Sequence, residues 1–172
     1  MKLRAVTADA PSSPRAIVDS VGDPELPLLT LADLGIVRDV VTAGGTVVVT
    51  VTPTYSGCPA MAMIRNDIVR RLREGGYGDV EVRTRLSPPW TSDWITEAGR
   101  RKLAAGGYSP PARVGSPPAA VPLRLSPPPR ALSCPQCGSP LTEVVSEFGA
   151  TPCKAIYRCR QCREPFEHVK EI

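Results

Sequence analysis

The sequence predicts an α/β fold in two parts: a small domain of order αββαβα over residues 12–107, and an all-β ribbon over residues 133–172, joined by a proline-rich linker at 108–132. Three observations carry this. Two β-branched runs are joined by a glycine turn, a helix with one apolar stripe follows them, and four cysteines in two Cys-x-x-Cys pairs lie near the end of the chain. Proline marks the division: average usage of about 5% would give roughly nine, and the chain has 20. Many cluster in SPPARVGSPPAAVPLRLSPPPRALS, which has no helical or strand period. That composition favours polyproline II and acts as a semi-rigid spacer.

Composition narrows the function classes. With 42% hydrophobic and 22% charged residues, the 172-residue chain can build packed cores, and wholesale disorder is excluded. The net charge of +4 is interspersed with acids and compels no polyanion partner. No run of 18 apolar residues is present, so neither a membrane helix nor a membrane partner is expected. The opening residues, MKLRAVTADAPSS, lack the apolar stretch of an export signal. Six cysteines in such a chain point to a reduced, cytoplasmic thiol or metal site rather than a disulfide framework.

The elements follow in order. Ser13 caps a short helix with Pro14 at its first position, and Gly22 ends it. Asp23-Pro24-Glu25-Leu26-Pro27 is a turn-rich connection. Residues 36–42 (IVRDVVT) and 46–52 (TVVVTVT) pair as a hairpin through Ala43-Gly44-Gly45. Pro59 opens the next helix, in which Met61, Ile64, Ile68 and Leu72 form one buried stripe before Gly75-Gly76 stops it. Residues 79–85 (DVEVRTR) alternate as a half-buried strand, and residues 92–104 form a last helix ended by Gly106-Gly107.

In the ribbon, Cys134 with Cys137 and Cys159 with Cys162 enclose 21 residues. Each Cys-x-x-Cys turn aims two thiolates at one centre, and two such knuckles complete a tetrahedral sulfur shell suited to Zn²⁺, with iron as the alternative. The intervening residues form a hairpin of strands 141–148 and 153–158. About forty residues rarely fold unaided, and a structural zinc worth about 10–16 kcal/mol covers the deficit. Cys153 shares a strand face with Cys159 and is expected beside the metal, as a packing residue or else a reactive or cluster-binding thiol. His168, the lone histidine, is expected exposed on a strand and not needed as a ligand.

Cys58 is the second point of chemistry. Between Gly57 and Pro59 it is expected at the N-cap, where the helix dipole and free amides would lower its pKa. A Cys-x₅-Arg phosphate cradle is excluded, because Ile64 stands where the arginine belongs and Arg65 falls one place late. A hydrolase would need a histidine base, and His168 lies beyond the linker. Metal or cluster handling therefore survives better than nucleophilic catalysis, and no catalytic residue is assigned.

Asp23-Pro24-Glu25, Asp33-Leu34-Gly35-Ile36-Val37, Thr52 with Cys58-Pro59, and Pro88-Pro89-Trp90 occur in the order seen in the iron–sulfur assembly domain. This stretch resembles the bacterial SufT proteins and the eukaryotic cytosolic iron–sulfur targeting proteins. The tail, with Ser146-Glu147-Phe148-Gly149, Cys153-Lys154-Ala155, Tyr157-Arg158-Cys159 and Arg163-Glu164-Pro165-Phe166, is similar to the D-type subunits (PaaD) of the phenylacetyl-CoA epoxidase system. The resemblance implies an accessory role in aerobic phenylacetate breakdown: maturing or loading an iron–sulfur or iron centre, with that of the reductase favoured. It implies that Cys58 handles the cargo, held stably or only in transit, with Asp23 and Glu25 shaping the same surface while the ribbon docks to a partner. One cluster-binding cysteine per chain would need a homodimer, a partner thiol or a small thiol. The competing readings are a zinc-ribbon nucleic-acid or adaptor protein and a thiol enzyme. The ribbon's only aromatics are Phe148, Tyr157 and Phe166, too few for much base stacking.

Overall fold

The structure, a computed structural model, describes residues 12–55, 57–113 and 132–172. The opening stretch read for an export signal, and most of the predicted linker, lie outside the described residues. Helix α1 (Pro14–Asp19) starts as expected: the Ser13 hydroxyl accepts from the Ala16 amide at 3.2 Å and Pro14 occupies the first turn. Strands β1 (Val37–Ala43) and β2 (Thr46–Val51) form an antiparallel hairpin. Its turn residues Gly44 and Gly45 take φ of +59° and +89°, the left-handed backbone such tight turns demand.

Helix α2 (Met61–Glu74) crosses over the sheet and returns the chain to β3 (Val80–Thr84), which pairs parallel to β2 and gives the order β1-β2-β3. The helix buries Ile64, Ile68 and Leu72 in one core with Val47, Val49 and Val51 of the central strand; Met61 is only half-buried. The predicted last helix divides. A 3₁₀ turn, Ser92–Trp94, is capped by Thr91, and α3 (Glu97–Ala105) is capped by Thr96, whose hydroxyl accepts from Gly99 at 3.0 Å. Two threonine caps five residues apart, with Ile95 extended between them, compete with a continuous helix.

The ribbon holds three antiparallel strands, β4 (Thr142–Ser146), β5 (Lys154–Cys159) and β6 (Pro165–Val169). The first two are the predicted hairpin. The third is the strand expected to carry His168; its place against the first domain goes beyond the sequence reading. Val169 lies in the first domain's hydrophobic core. Ser109, just past α3, donates to the Glu167 carbonyl at 2.9 Å and accepts from the Val169 amide at 3.0 Å. The Ser92 amide donates to the Ile172 carbonyl at 3.0 Å.

This junction corrects the expectation for His168, which is fully buried. Its Nδ1 lies 3.1 Å from the Ser109 carbonyl, its Nε2 lies 3.6 Å from Glu171, and its ring meets Tyr157 edge-on. The imidazole is a structural peg between β6 and the segment leaving α3. Among the described residues no helix is long and apolar enough to cross a membrane.

Gly35 sits where the loop before β1 meets the 3₁₀ turn. Its φ is +68°, and a Cβ there would lie 2.6 Å from the Trp94 carbonyl oxygen. Gly44 has a similar φ with nothing within 4 Å. In urea denaturation, Gly44→Ala should therefore cost about 1 kcal/mol for its left-handed backbone alone. Gly35→Ala should cost more than about 2 kcal/mol, because strain and steric overlap add.

Candidate metal centre and junction cavity

Two knuckles build the four-thiol centre by the same local geometry. In the first, the Gly138 amide donates to the Cys134 carbonyl at 2.8 Å and the Cys134 amide to the Ser139 carbonyl at 2.9 Å. In the second, the Arg163 amide donates to Cys159 and the Cys159 amide to Glu164, both at 3.0 Å. The residue after each pair turns left-handed: Gly138 at φ +73° and Arg163 at +70°. A non-glycine residue in that region shows that the knuckle, not the residue's own preference, sets the backbone.

The sulfurs of Cys134, Cys137, Cys159 and Cys162 all lie within 4.8 Å of one another. Cys134 and Cys162 are 3.7 Å apart, and Cys137 and Cys159 are 3.6 Å apart. A tetrahedron of sulfurs around an ion at about 2.3 Å has edges of about 3.8 Å, so the quartet has the dimensions of a metal shell. The amides of Cys162 and Gln161 pull the Cys159 thiol down to about 6. At Cys162 the Glu164 amide pulls the other way from burial and the three neighbouring sulfurs, which together push it up to about 12. Four thiols this close cannot all ionise without a cation, and a divalent metal meets that demand.

The second centre lies where the ribbon meets the first domain. A cavity of about 30 Å³ is lined by Cys58, Cys153, Asp23 and Glu25, walled by apolar groups that include Trp90 and Ile172. That is room for water or one ion, not for an organic substrate. The structure thus brings Cys58, Asp23 and Glu25 together, as the sequence suggested. Asp23 Oδ1 accepts the amides of Glu25 at 2.9 Å and Leu26 at 2.8 Å, an Asx turn that fixes the carboxylate. Burial outweighs those bonds and pushes its pKa up; burial, then the Asp23 charge, does the same to Glu25.

Two expectations are corrected here. Cys58 is not the N-cap: α2 begins at Met61 with Ala60 before it, so Cys58 stands in the preceding turn, outside the strongest field of the dipole. Burial pushes its thiol up; the Ala60 amide offsets part of this, and the charges of Glu25, Asp23 and Cys153 add to the rise. Cys153 is not beside the four-thiol centre. It shares a face with Cys159, but six residues at about 3.3 Å each put it about 20 Å away, at the other end of β5. There its carbonyl accepts from the Lys170 amide at 2.9 Å, and its sulfur lies 3.0 Å from the Thr151 hydroxyl. Sequence reasoning also missed Lys154, which is buried, paired with Glu167 at 3.1 Å, and close enough to moderate the charges of Asp23 and Glu25. The apolar positions of β6 could have pointed to this junction. The cavity is not a preformed shell: among the described residues only the ribbon quartet brings its donor atoms so close together.

Comparison with known proteins matches both parts. A family model described as an iron-sulfur cluster assembly protein covers residues 15–84, and one described as the PaaD zinc beta ribbon domain covers residues 119–170. A protein of Escherichia coli (strain K12), named for the D-type component of 1,2-phenylacetyl-CoA epoxidase, is 43% identical over 157 residues, covering 91% of this chain and 90% of that one. The chain belongs to the PaaD family. A second relative, the Fe-S protein maturation auxiliary factor of Porphyromonas gingivalis (strain ATCC BAA-308 / W83), is 34% identical over 86 residues, 49% of this chain and 81% of that one. The crystal structure of a domain of unknown function, DUF59, from Bacillus anthracis shows 29% sequence identity and a TM-score of 0.49, covering 52% of this chain and 87% of that one. In this PaaD family member the cavity draws on both matched segments, Cys58 from the first and Cys153 from the second.

Removing the ribbon's metal with a chelator, or substituting Cys159→Ser, should unfold β5 and β6 and pull Val169 and Ile172 off the first domain. Trp90, 5% exposed and beside Ile172, should then shift its fluorescence to the red; unchanged emission without metal would show that the metal is not structural. The Asp23 carboxyl, raised above its ordinary value of 3.8, opposes folding once ionised. That penalty begins as pH climbs past the ordinary value and is complete above the folded pKa. Asp23→Asn keeps an oxygen for the Asx turn and removes the charge. Its thermal midpoint at pH 7 should equal or exceed the parent's, and the gain should vanish as pH falls to the ordinary value.

Proposed function

We propose that the chain is an accessory component of the phenylacetyl-CoA epoxidase system that performs no oxygenation itself and helps load iron or an iron–sulfur cluster into a partner, the reductase being the favoured recipient. The observation that carries this is the convergence on one ion-sized cavity of Cys58, Asp23 and Glu25, all three from the segment that matches iron–sulfur cluster assembly proteins. The names of the two relatives, one an epoxidase component and the other a maturation factor, support the same pairing of roles. The four-thiol centre is read as structural and as zinc rather than iron, in keeping with the ribbon family it matches. Residues 12–107 then form the cargo domain, 108–132 the tether, and 133–172 the ribbon that meets the partner proteins. Free thiols of this kind suit a reducing, cytoplasmic setting.

The chemistry follows from the cavity's electrostatics. A thiol held up by burial and by neighbouring acids is protonated at neutral pH. It ligates a cation only by giving up that proton to solvent, and the carboxylates of Asp23 and Glu25 favour the exchange by attracting the cation. The cation in turn relieves the repulsion among these groups. Reprotonation favours release, as a carrier requires. The nucleic-acid reading loses ground, because Tyr157 and Phe166 are buried and stacked on each other at 5.8 Å. Phe148 alone of the ribbon aromatics is exposed.

Cys58→Ala, as the sole copy in cells, should keep the fold and its zinc but lower epoxidase activity and slow growth on phenylacetate. The reductase purified from those cells should carry less iron and acid-labile sulfide. Full growth and a fully loaded reductase would refute the role of Cys58.

A further inference from the structure

We infer that Cys58 and Cys153 together form a two-thiol site for a divalent, borderline-soft metal cation, closing across the junction between the first domain and the ribbon. This rests on the iron-handling reading and deepens it, because it supplies from within the chain the second sulfur that one cysteine lacks.

Both thiols line the same cavity of about 30 Å³, although they come from distant segments and different domains. Each is anchored by backbone bonds that do not involve the other: Cys58 donates its amide to the Tyr55 carbonyl at 3.1 Å, and the Cys153 carbonyl accepts from Lys170. Packing alone explains a buried cysteine, but it does not explain two carboxylates in the same small, apolar-walled space. Asp23 is buried and Glu25 half-buried beside the two thiols, and holding these charges together is costly unless positive charge offsets it. Lys154 supplies part of that offset and is already paired with Glu167. The burial that raises the Cys58 thiol also raises that of Cys153, where the Glu25 charge adds to it. Entry of one cation answers all four groups at once.

The donor set selects the ligand class. Two sulfurs with two flanking carboxylates suit Fe²⁺, Co²⁺ or Zn²⁺ and disfavour Mg²⁺ or Ca²⁺. Ligation balances without an oxidant: two S–H bonds break, two S–metal bonds form and two protons leave to solvent, while Asp23 and Glu25 stay ionised beside the cation. Because Cys153 reaches the cavity only while the ribbon is folded and docked, the four-thiol metal becomes a condition for the second site. No second copy of the chain is required to complete it.

The test uses the full chain, oxygen-free, with its ribbon loaded with zinc, titrated with Co²⁺ as the probe. One cobalt per chain should bind, with a thiolate-to-cobalt charge-transfer band of two-thiolate intensity and one zinc retained. Cys58→Ser and Cys153→Ser should each halve the band per bound cobalt and weaken binding at least about tenfold, with Trp90 emission unchanged as the check on folding. Loss in Cys58→Ser with parental binding in Cys153→Ser would overturn the pairing and leave iron handling by Cys58 intact. One cobalt per two chains would also overturn it, assigning the second sulfur to another copy. No cobalt beyond the zinc site would remove both the pairing and the carrier reading.

Discussion

About forty residues of ribbon cannot bury enough apolar surface to hold themselves folded, and here the four thiols stand in for a core. Their sulfurs converge within 4.8 Å, Tyr157 and Phe166 pack into the same cluster, and what is fixed there is transmitted along β5 and β6. The last strand ends not in solvent but in the first domain, with Val169 in its core and the Ile172 carbonyl bonded to Ser92. The metal centre therefore shapes a cavity at the far end of the strands. Cys153 on β5's leading turn and Lys170 after β6 are held in place by a metal shell to which neither belongs.

The first domain meets that junction with a loop organised by two aspartates. Asp23 turns its chain through the amides of Glu25 and Leu26. Asp33 does the same with Thr30 and pairs with Lys102 of α3 at 2.5 Å; the pairing overcomes partial burial and lowers its pKa. The two carboxylates look alike in sequence and differ in consequence. The one paired directly with a lysine is a fastener, and the one directed to the cavity has no ion pair of its own, only the more distant charge of Lys154. This difference, not the presence of acids as such, singles out Asp23 for the proposed site.

Much of this was legible in the residues. Ser13-Pro14, the Gly44-Gly45 turn, the Ile64–Ile68–Leu72 stripe and the paired knuckles are local signals, and each formed where its chemistry placed it. What escaped was non-local. β6 carries His168, which the residues placed on a strand; its pairing with β5 and its bridge to Ser109 depend on segments distant in the chain. His168 looked exposed because its burial depends on Ser109, far away in the chain. Cys153 shared parity with Cys159, but parity says which face and not which end. Cys58 stood next to a proline that suggested a cap, yet the first helical turn starts later, and burial decides its pKa.

That last reversal bears on mechanism. A thiol of lowered pKa at a helix start would hold a cation tightly and also react readily with oxidants and electrophiles. A thiol raised by burial is quiet when empty, binds only against a proton, and gives up its cargo when a partner offers a better shell. A storage site is served by the first arrangement and a delivery site by the second. The ribbon quartet, with all four donors already within 4.8 Å of one another, has the character of a holder. The junction cavity, with raised thiols, raised carboxyls and no complete shell, has that of a donor. The proposed division thus sets a permanent metal and a passing one at opposite ends of the same strands, and the difference between them follows from how far each set of ligands is assembled before the ion arrives.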